Sequence, residues 1–327
     1  MSEPSPEGRI WDLMRGALAT RALAIAADLR IADALAEGPR PVDELAREVG
    51  ADPGTLQRLL RALASDGVFA EDEPGLFRNT EASEVLRQSG WDDFAHLFGG
   101  AWMQAIAQLG AAGEPTFPRV FDADFWSWLA DHPEERAAFD RAMEQGKERR
   151  IERLAGLDWR GDETVVDVGG GNGANLVALL RRRTGLTGIV FDLPETVRDE
   201  AAFGDRLTFV EGDFFESVPT GEVYVLSTIL HDWDDELAAA ILRTIRASAP
   251  SGARVILLES VIQPGNDPDG SKWLDLLMLA LFGGRERDEA QWRKLLEGAS
   301  FTIDSIQDGL IEARCRPTAS SHTPRAM

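Results

Sequence analysis

The chain has 327 residues, with 34 Lys and Arg against 56 Asp and Glu and a formal net charge of -22. A surface this acidic repels phosphate backbones and anionic headgroups, which argues against nucleic acid and membrane as partners. One cysteine, Cys315, leaves no material for a disulfide framework or a cysteine-rich metal site. With no signal peptide and no bilayer-length apolar run, a soluble cytoplasmic protein is expected.

The length exceeds that of a usual single domain, so two units are expected in one polypeptide. Residues 2–8 and the tail 317–327 are rich in Ser, Pro, Thr and Ala and should fray. From Ile10 to Leu35 the pattern is helical. Its apolar residues, among them Leu13, Met14, Leu18, Leu23, Ile25 and Leu29, cover more than one stripe. Either this helix lies deep in the core or a second copy of the chain covers it.

Residues 41–86 read as a winged helix. One helix spans Val42 to Val49 and a second is capped by Asp52-Pro53; a short wing turns at Pro74-Gly75 and ends at Phe77-Arg78. Such modules often bind DNA. Here the second helix offers only Arg58 and Arg61, and the wing carries Glu71, Asp72 and Glu73, which phosphates would repel. A helical stretch follows from Trp91 to about Leu154, broken at Gly113-Glu114-Pro115 and at His132-Pro133. Its aromatics, including Trp102, Phe117, Phe125, Trp126 and Phe139, either pack a core or line the pocket of a flat aromatic ligand.

From Trp159 onward short β-rich runs alternate with helical segments. The runs are Thr164 to Val168, Gly188 to Asp192, Leu207 to Glu211, Glu222 to Thr228, Arg254 to Ser260, Phe301 to Ile306 and Gly309 to Cys315. Such alternation predicts an α/β, Rossmann-like, doubly wound seven-stranded sheet. The Asp308-Gly309 pair between the last two runs predicts a hairpin, and therefore an antiparallel last strand.

The first of these strands leads into the glycine turn Gly169-Gly170-Gly171-Asn172-Gly173. Glycine turns of this kind serve several nucleotide-type cofactors. The strand ends carry Asp167, Asp192, Asp213 and Asp232, and these motifs hold no Lys or Arg. A pyrophosphate would want positive potential, so the acidic crevice favours a cationic cofactor. Asp192, about 20 positions past the glycine turn, can accept from ribose hydroxyls or simply cap the turn at Pro194. Asp213 can accept from an adenine amino group, with Phe214 packing on the ring, or be a plain turn residue after Gly212. His231 ends the fourth strand, immediately before the acidic helix start Asp232-Trp233-Asp234-Asp235.

Taken in order, these motifs resemble the O-methyltransferase family of the plant caffeic acid and isoflavone enzymes and the bacterial antibiotic-tailoring enzymes, over about Trp11 to Arg314. The resemblance implies S-adenosylmethionine as methyl donor, S-adenosylhomocysteine as product and no metal. It implies a homodimer built through a winged-helix domain at 1–90, a helical linker at 91–158 contributing to the substrate pocket, a methyltransferase domain at 159–316 and a flexible tail at 317–327. His231 is then the general base, flanked by Glu259 and Glu286. Expected cofactor contacts are Asp167, Gly169, Gly171, Gly173, Asp192, Leu193, Asp213, Phe214 and Ser227. Ser227 stands where the plant members usually carry a Lys, so that contact lacks its charge. Expected substrate contacts are Asp232, Trp126, Met143, Met278 and Phe282. The expected activity is methylation of a phenolic or enolic hydroxyl on an aromatic secondary metabolite, as in antibiotic biosynthesis. Two alternatives are a relative that keeps the cofactor but acts as a hydroxylase or N-methyltransferase, and a winged-helix regulator that senses it.

Overall fold

The computed structural model describes residues 5–194 and 204–316. The tail expected to fray, and most of the segment expected to be helical between the second and third sheet strands, lie outside these residues. Backbone contacts divide the chain into two units: residues up to Ala111 with Thr116–Gly146, and Ala112–Pro115 with Lys147 onward.

The first unit begins with α1 (Pro6–Asp28). The Ser5 side chain caps it by accepting from the Gly8 N–H, and Pro6 occupies the first turn, where no backbone donor is needed. Residues 6–8, expected to fray, are therefore helical. Arg30 in the left-handed region (φ 53°) ends this helix and starts α2 (Ile31–Ala34). The chain continues through β1 (Arg40–Pro41), α3 (Val42–Val49), α4 (Pro53–Ser65), β2 (Phe69–Glu73) and β3 (Leu76–Asn79). The three strands pair in the order β1-β3-β2, giving the wing. Leu45, Leu56, Leu60, Leu63, Phe69 and Phe77 form one core with Ile31 and Leu35. Arg61 is engaged by the wing's own Glu71 at 3.2 Å. Then come α5 (Glu81–Glu84), α6 (Trp91–Gly99), α7 (Ala101–Ile106), α8 (Phe117–Phe121), α9 (Phe125–Asp131) and α10 (Pro133–Met143). Phe117 and Phe125 are fully buried with ring centroids 5.1 Å apart, so these two aromatics are core.

The second unit runs α11 (Lys147–Gly156), β4 (Thr164–Val168), α12 (Ala174–Arg182), β5 (Thr187–Asp192), β6 (Leu207–Glu211), β7 (Val223–Ser227), α13 (Asp235–Ser248), β8 (Arg254–Leu258), β9 (Val261–Ile262), α14 (Ser271–Phe282), β10 (Arg287–Asp288), α15 (Glu289–Gly298), β11 (Phe301–Gln307) and β12 (Leu310–Cys315). The main sheet has the order β11-β12-β8-β7-β4-β5-β6, and β12 lies antiparallel to both neighbours, as expected. Val166, Tyr224, Leu226 and Val255 pack with Ile241 and Trp292 in one core cluster; Val165, Val223, Val225 and Ile256 pack with Leu176 and Leu180 in another. Burial on both faces explains why these strands read as continuous apolar runs. The chain leaves the centre through β4, β5 and β6, then returns to β7 on the other side of β4. That reversal opens a crevice at the carboxyl ends of β4 and β7, where an open parallel sheet binds its ligand.

Candidate active site

The glycine turn follows β4. Gly169, Gly171 and Gly173 all have positive φ (69°, 58° and 75°). At Gly173 a side chain would also stand 2.8 Å from Val190, so glycine is required there by space as well as backbone angle. Asp192 at the end of β5 closes the turn: its carboxylate accepts from the Gly171 N–H and from the Leu193 N–H, each at 2.7 Å. Gly212 donates to the Asp192 carbonyl (3.0 Å), which carries the next strand end to the same edge. Asp213 accepts there from the Phe215 N–H at 2.7 Å, as a turn aspartate does. Phe214 packs edge-on to Phe215 and Trp233, at 5.0 and 6.0 Å between centroids.

Asp167, on β4 itself, is buried, and its Oδ2 has no hydrogen-bond partner. Burial, reinforced by the neighbouring Asp192, pushes its pKa up to about 7. An unpartnered buried carboxylate oxygen beside an anionic neighbour and an open-backbone glycine turn suits a cationic, nucleoside-bearing ligand and not a phosphate. Ser227 ends β7, half-buried.

Beyond Ser227 the backbone turns sharply. Thr228 has φ 54°, an outlier for a β-branched residue that costs about 1–3 kcal/mol, and its N–H is held by the Leu258 carbonyl at 3.0 Å. The turn places His231 in a single 3-10 turn, Leu230–Asp232, with its side chain buried. Nδ1 lies 2.7 Å from Glu286 Oε1 and 4.0 Å from Glu259 Oε2; Nε2 lies 3.4 Å from Asp232 Oδ1. The two glutamates therefore do different things. Glu286 bonds the imidazole, whereas Glu259 Oε1 accepts the Ile229 and Leu230 N–H groups at 3.0 and 2.8 Å and holds the main chain leading to the histidine.

Burial alone would lower the His231 pKa. The negative charges of Asp232 and Glu259 and the bond to Glu286 outweigh it and hold the imidazole at about 10. Burial likewise raises Asp232 to about 7, against the opposing pull of His231, and raises Glu259. Glu286 is brought to the histidine by the two-residue parallel ladder of β9 and β10, in which Arg287 pairs with Val261. Gly284 makes the approach possible: a side chain there would stand 2.2 Å from the His231 carbonyl oxygen and 2.4 Å from the Asp232 carbonyl carbon.

The structure brings together Asp167, Gly169, Gly171, Gly173, Asp192 and Leu193 around the glycine turn, and His231, Asp232, Glu259 and Glu286 at the end of β7. Met278 is buried on α14, and Phe282 is its last residue. Trp126 and Met143 belong to the first unit, on α9 and α10. Sequence reasoning missed two supports. Asp275 accepts from the Glu286 N–H at 2.8 Å, and Arg287, fully buried, bonds the main chain on both sides of His231. A buried Arg following Glu286 gives no periodic signal; only its partners reveal it.

A seven-stranded sheet with an antiparallel last strand, a glycine turn after the central strand and acidic strand ends define the Rossmann-like methyltransferase class. The comparisons carry this to the family. Residues 102–302 match the O-methyltransferase domain and residues 11–89 the O-methyltransferase dimerisation domain, and the chain belongs to the O-methyltransferase family. It is 36% identical to the phenazine O-methyltransferase PhzM of Lysobacter antibioticus, covering 94% of this chain and 95% of that protein. It is also 36% identical to the 2,7-dihydroxy-5-methyl-1-naphthoate 7-O-methyltransferase of Streptomyces carzinostaticus, covering 86% and 89%. Among solved structures it resembles the O-methyltransferase NcsB1 from neocarzinostatin biosynthesis, in complex with S-adenosyl-L-homocysteine and 1,4-dihydroxy-2-naphthoic acid. The TM-score is 0.79 at 34% identity, covering 91% of this chain and 96% of that one.

Proposed function

We propose that the chain transfers a methyl group from S-adenosylmethionine to a phenolic hydroxyl on a flat aromatic small molecule of secondary metabolism. The observation that carries this reading is His231, buried with Nδ1 bonded to Glu286, which leaves Nε2 to take the proton of an acceptor hydroxyl. Asp192 would accept from the ribose hydroxyls, and Asp213 and Phe214 would hold the adenine. Gly169, Gly171, Gly173 and Leu193 would offer backbone to the cofactor, Asp167 would balance its ammonium and Ser227 would add a hydroxyl. S-adenosylmethionine, when bound, supplies an electrophilic methyl group on a sulfonium.

Everything else falls to the chain's own residues. A free imidazole, with a pKa near ~6.5, would take a proton from a phenol, near ~10, at a cost of about 5 kcal/mol. The carboxylates around His231 raise it to about 10, so the transfer becomes nearly isoenergetic. A histidine this basic is protonated in the resting protein at neutral pH. Acceptor and His231 must therefore lose one proton between them when the acceptor binds, and kcat/KM should rise with pH from the acid side. Asp232, beside Nε2, would accept from or donate to a second polar group of the substrate. Met278 and Phe282 would supply apolar wall on this unit. A homodimer in the cytoplasm completes the reading: the dimerisation-domain match and the apolar outer face of α1 support the dimer. No helix among the described residues is long and apolar enough to cross a membrane.

Calorimetry with S-adenosylhomocysteine should give one site per chain, with Asp192→Ala weakening it by about 1–3 kcal/mol. Labelled S-adenosylmethionine with phenols, dihydroxynaphthoic acids, phenazines and aromatic amines should then show label on hydroxyls. Label confined to amines, or no cofactor binding, overturns the proposal.

A further inference from the structure

We infer that Arg287 is the positioning residue for His231, an inference that rests on reading His231 as the base. Arg287 is 0% exposed, and both terminal nitrogens of its guanidinium reach the loop that carries the histidine, Nη1 also touching the Arg285 carbonyl at 3.4 Å. Nη1 donates to the Leu230 carbonyl and Nη2 to the Trp233 carbonyl, each at 2.9 Å. Nε donates to Asp235 Oδ1 at the start of α13, also at 2.9 Å. These contacts grip the chain on both sides of His231. The residues just before Arg287 complete the grip. Gly284 packs against the His231 and Asp232 backbone, the Arg285 N–H donates to the His231 carbonyl at 2.8 Å, and Glu286 takes Nδ1.

Arg287 is itself pinned from behind. Its Cζ lies 5.1 Å over the Trp292 ring, and Trp292 Nε1 donates to the Ser260 carbonyl at 3.0 Å, one residue after Glu259. The planar fork is thus referenced to the segment that carries Glu259, and so orients His231 against both glutamates. Three donors at fixed angles do what an ammonium cannot, because a lysine offers one charge with no fork. No regular secondary structure holds His231: it stands in a three-residue 3-10 turn after the strained Thr228, so its place depends on side chains such as Glu259, Glu286 and Arg287. Fixing such a segment to within about 1 Å is what a proton transfer inside a bound complex requires.

The test uses the full chain with Arg287→Lys, which keeps the charge, and Asp235→Asn, which keeps an acceptor for Nε but removes its negative charge. Both are measured for melting temperature, S-adenosylhomocysteine affinity, kcat and KM across phenols of graded acidity. Arg287→Lys should lower kcat about 10- to 100-fold, with cofactor affinity per folded chain and KM nearly unchanged. The deficit should shrink as the phenol becomes acidic enough to arrive ionised, since no proton then needs a placed acceptor. Asp235→Asn should show a smaller version of the same pattern, and it keeps the inference testable if Arg287→Lys does not fold. A merely structural role would lower the melting temperature and the fraction of chains binding cofactor, but leave turnover per binding site unchanged; that result overturns the inference. So does a deficit equal for weak and strong acids. If His231→Ala shows the acidity-dependent deficit and the Arg287 and Asp235 variants do not, this inference alone fails. If His231→Ala turns over normally, the base reading fails first.

Discussion

At the scale of single residues the site is a crowd of carboxylates around one imidazole. His231→Ala should leave S-adenosylhomocysteine affinity nearly unchanged and lower turnover by about 10² to 10⁴. Raising the pH should partly rescue it, because a phenolate formed in solution needs no base. Wild-type turnover in that variant at neutral pH would mean that the acceptor ionises without help. The same crowding ties stability to pH. His231 is held at about 10, above its ordinary ~6.5, so the stability it contributes is complete below ~6.5 and is lost as pH rises toward 10. Asp167 and Asp232 are raised to about 7 from an ordinary ~3.9. The folded chain keeps protons there that the unfolded chain releases, and their contribution is lost between about pH 4 and 7. Thermal melts from pH 5 to 10 should therefore show a falling midpoint, and Asp167→Asn should flatten the lower part of the fall. A midpoint that climbs with pH across this range would contradict the assignment of these shifts.

At the scale of elements, small devices carry the large consequences. The β11–β12 turn has Asp308 at φ 49° and Gly309 at φ 79°, the left-handed pair that a two-residue hairpin of the correct twist demands. The Asp-Gly dipeptide is enough by itself to announce that turn. Its effect on the site is not announced: the Gly309 carbonyl accepts the Glu259 N–H at 2.9 Å, and a side chain at Gly309 would stand 2.6 Å from the Glu259 carbonyl oxygen. Gly309→Ala should cost about 1–3 kcal/mol through overpacking. It should also reduce turnover more than cofactor binding, because the displaced strand end bears Glu259 and not the glycine turn. Denaturant melts read with initial rates would separate the two effects. Equal losses in both would show that the hairpin merely supports the sheet.

At the scale of the whole molecule, α1 presents more apolar surface than a single chain covers. Its inner positions Ala24, Ala26 and Ala27 are buried, whereas Ile10, Trp11, Leu13, Met14 and Leu18 are between 58% and 76% exposed. Five large apolar side chains on one exposed stretch make a patch that soluble monomers seldom display. A second copy of the chain would cover it. Replacing Trp11 and Leu18 with Glu should shift the protein toward monomer in sedimentation. A wild-type chain that sediments as a monomer at micromolar concentration would remove the need for a partner.

The sequence alone determined the sheet, its antiparallel edge and the glycine turn, because strand alternation, Asp-Gly hairpins and glycine runs are local signals with local causes, whereas His231 as candidate base came from the family resemblance. The resemblance, and not spacing, also named Glu259 and Glu286, since residues 259 and 286 meet only across the ladder of β9 and β10. Two things were decided by tertiary structure alone. One is the division of labour between the glutamates, Glu286 on the imidazole and Glu259 on the backbone, which depends on which oxygen reaches which donor. The other is the scaffold of Gly284, Asp275 and Arg287 behind them. A glycine's need for space, a buried arginine's choice of carbonyls and an imidazole's pKa are set by neighbours distant in the chain, and no pattern along the chain records them.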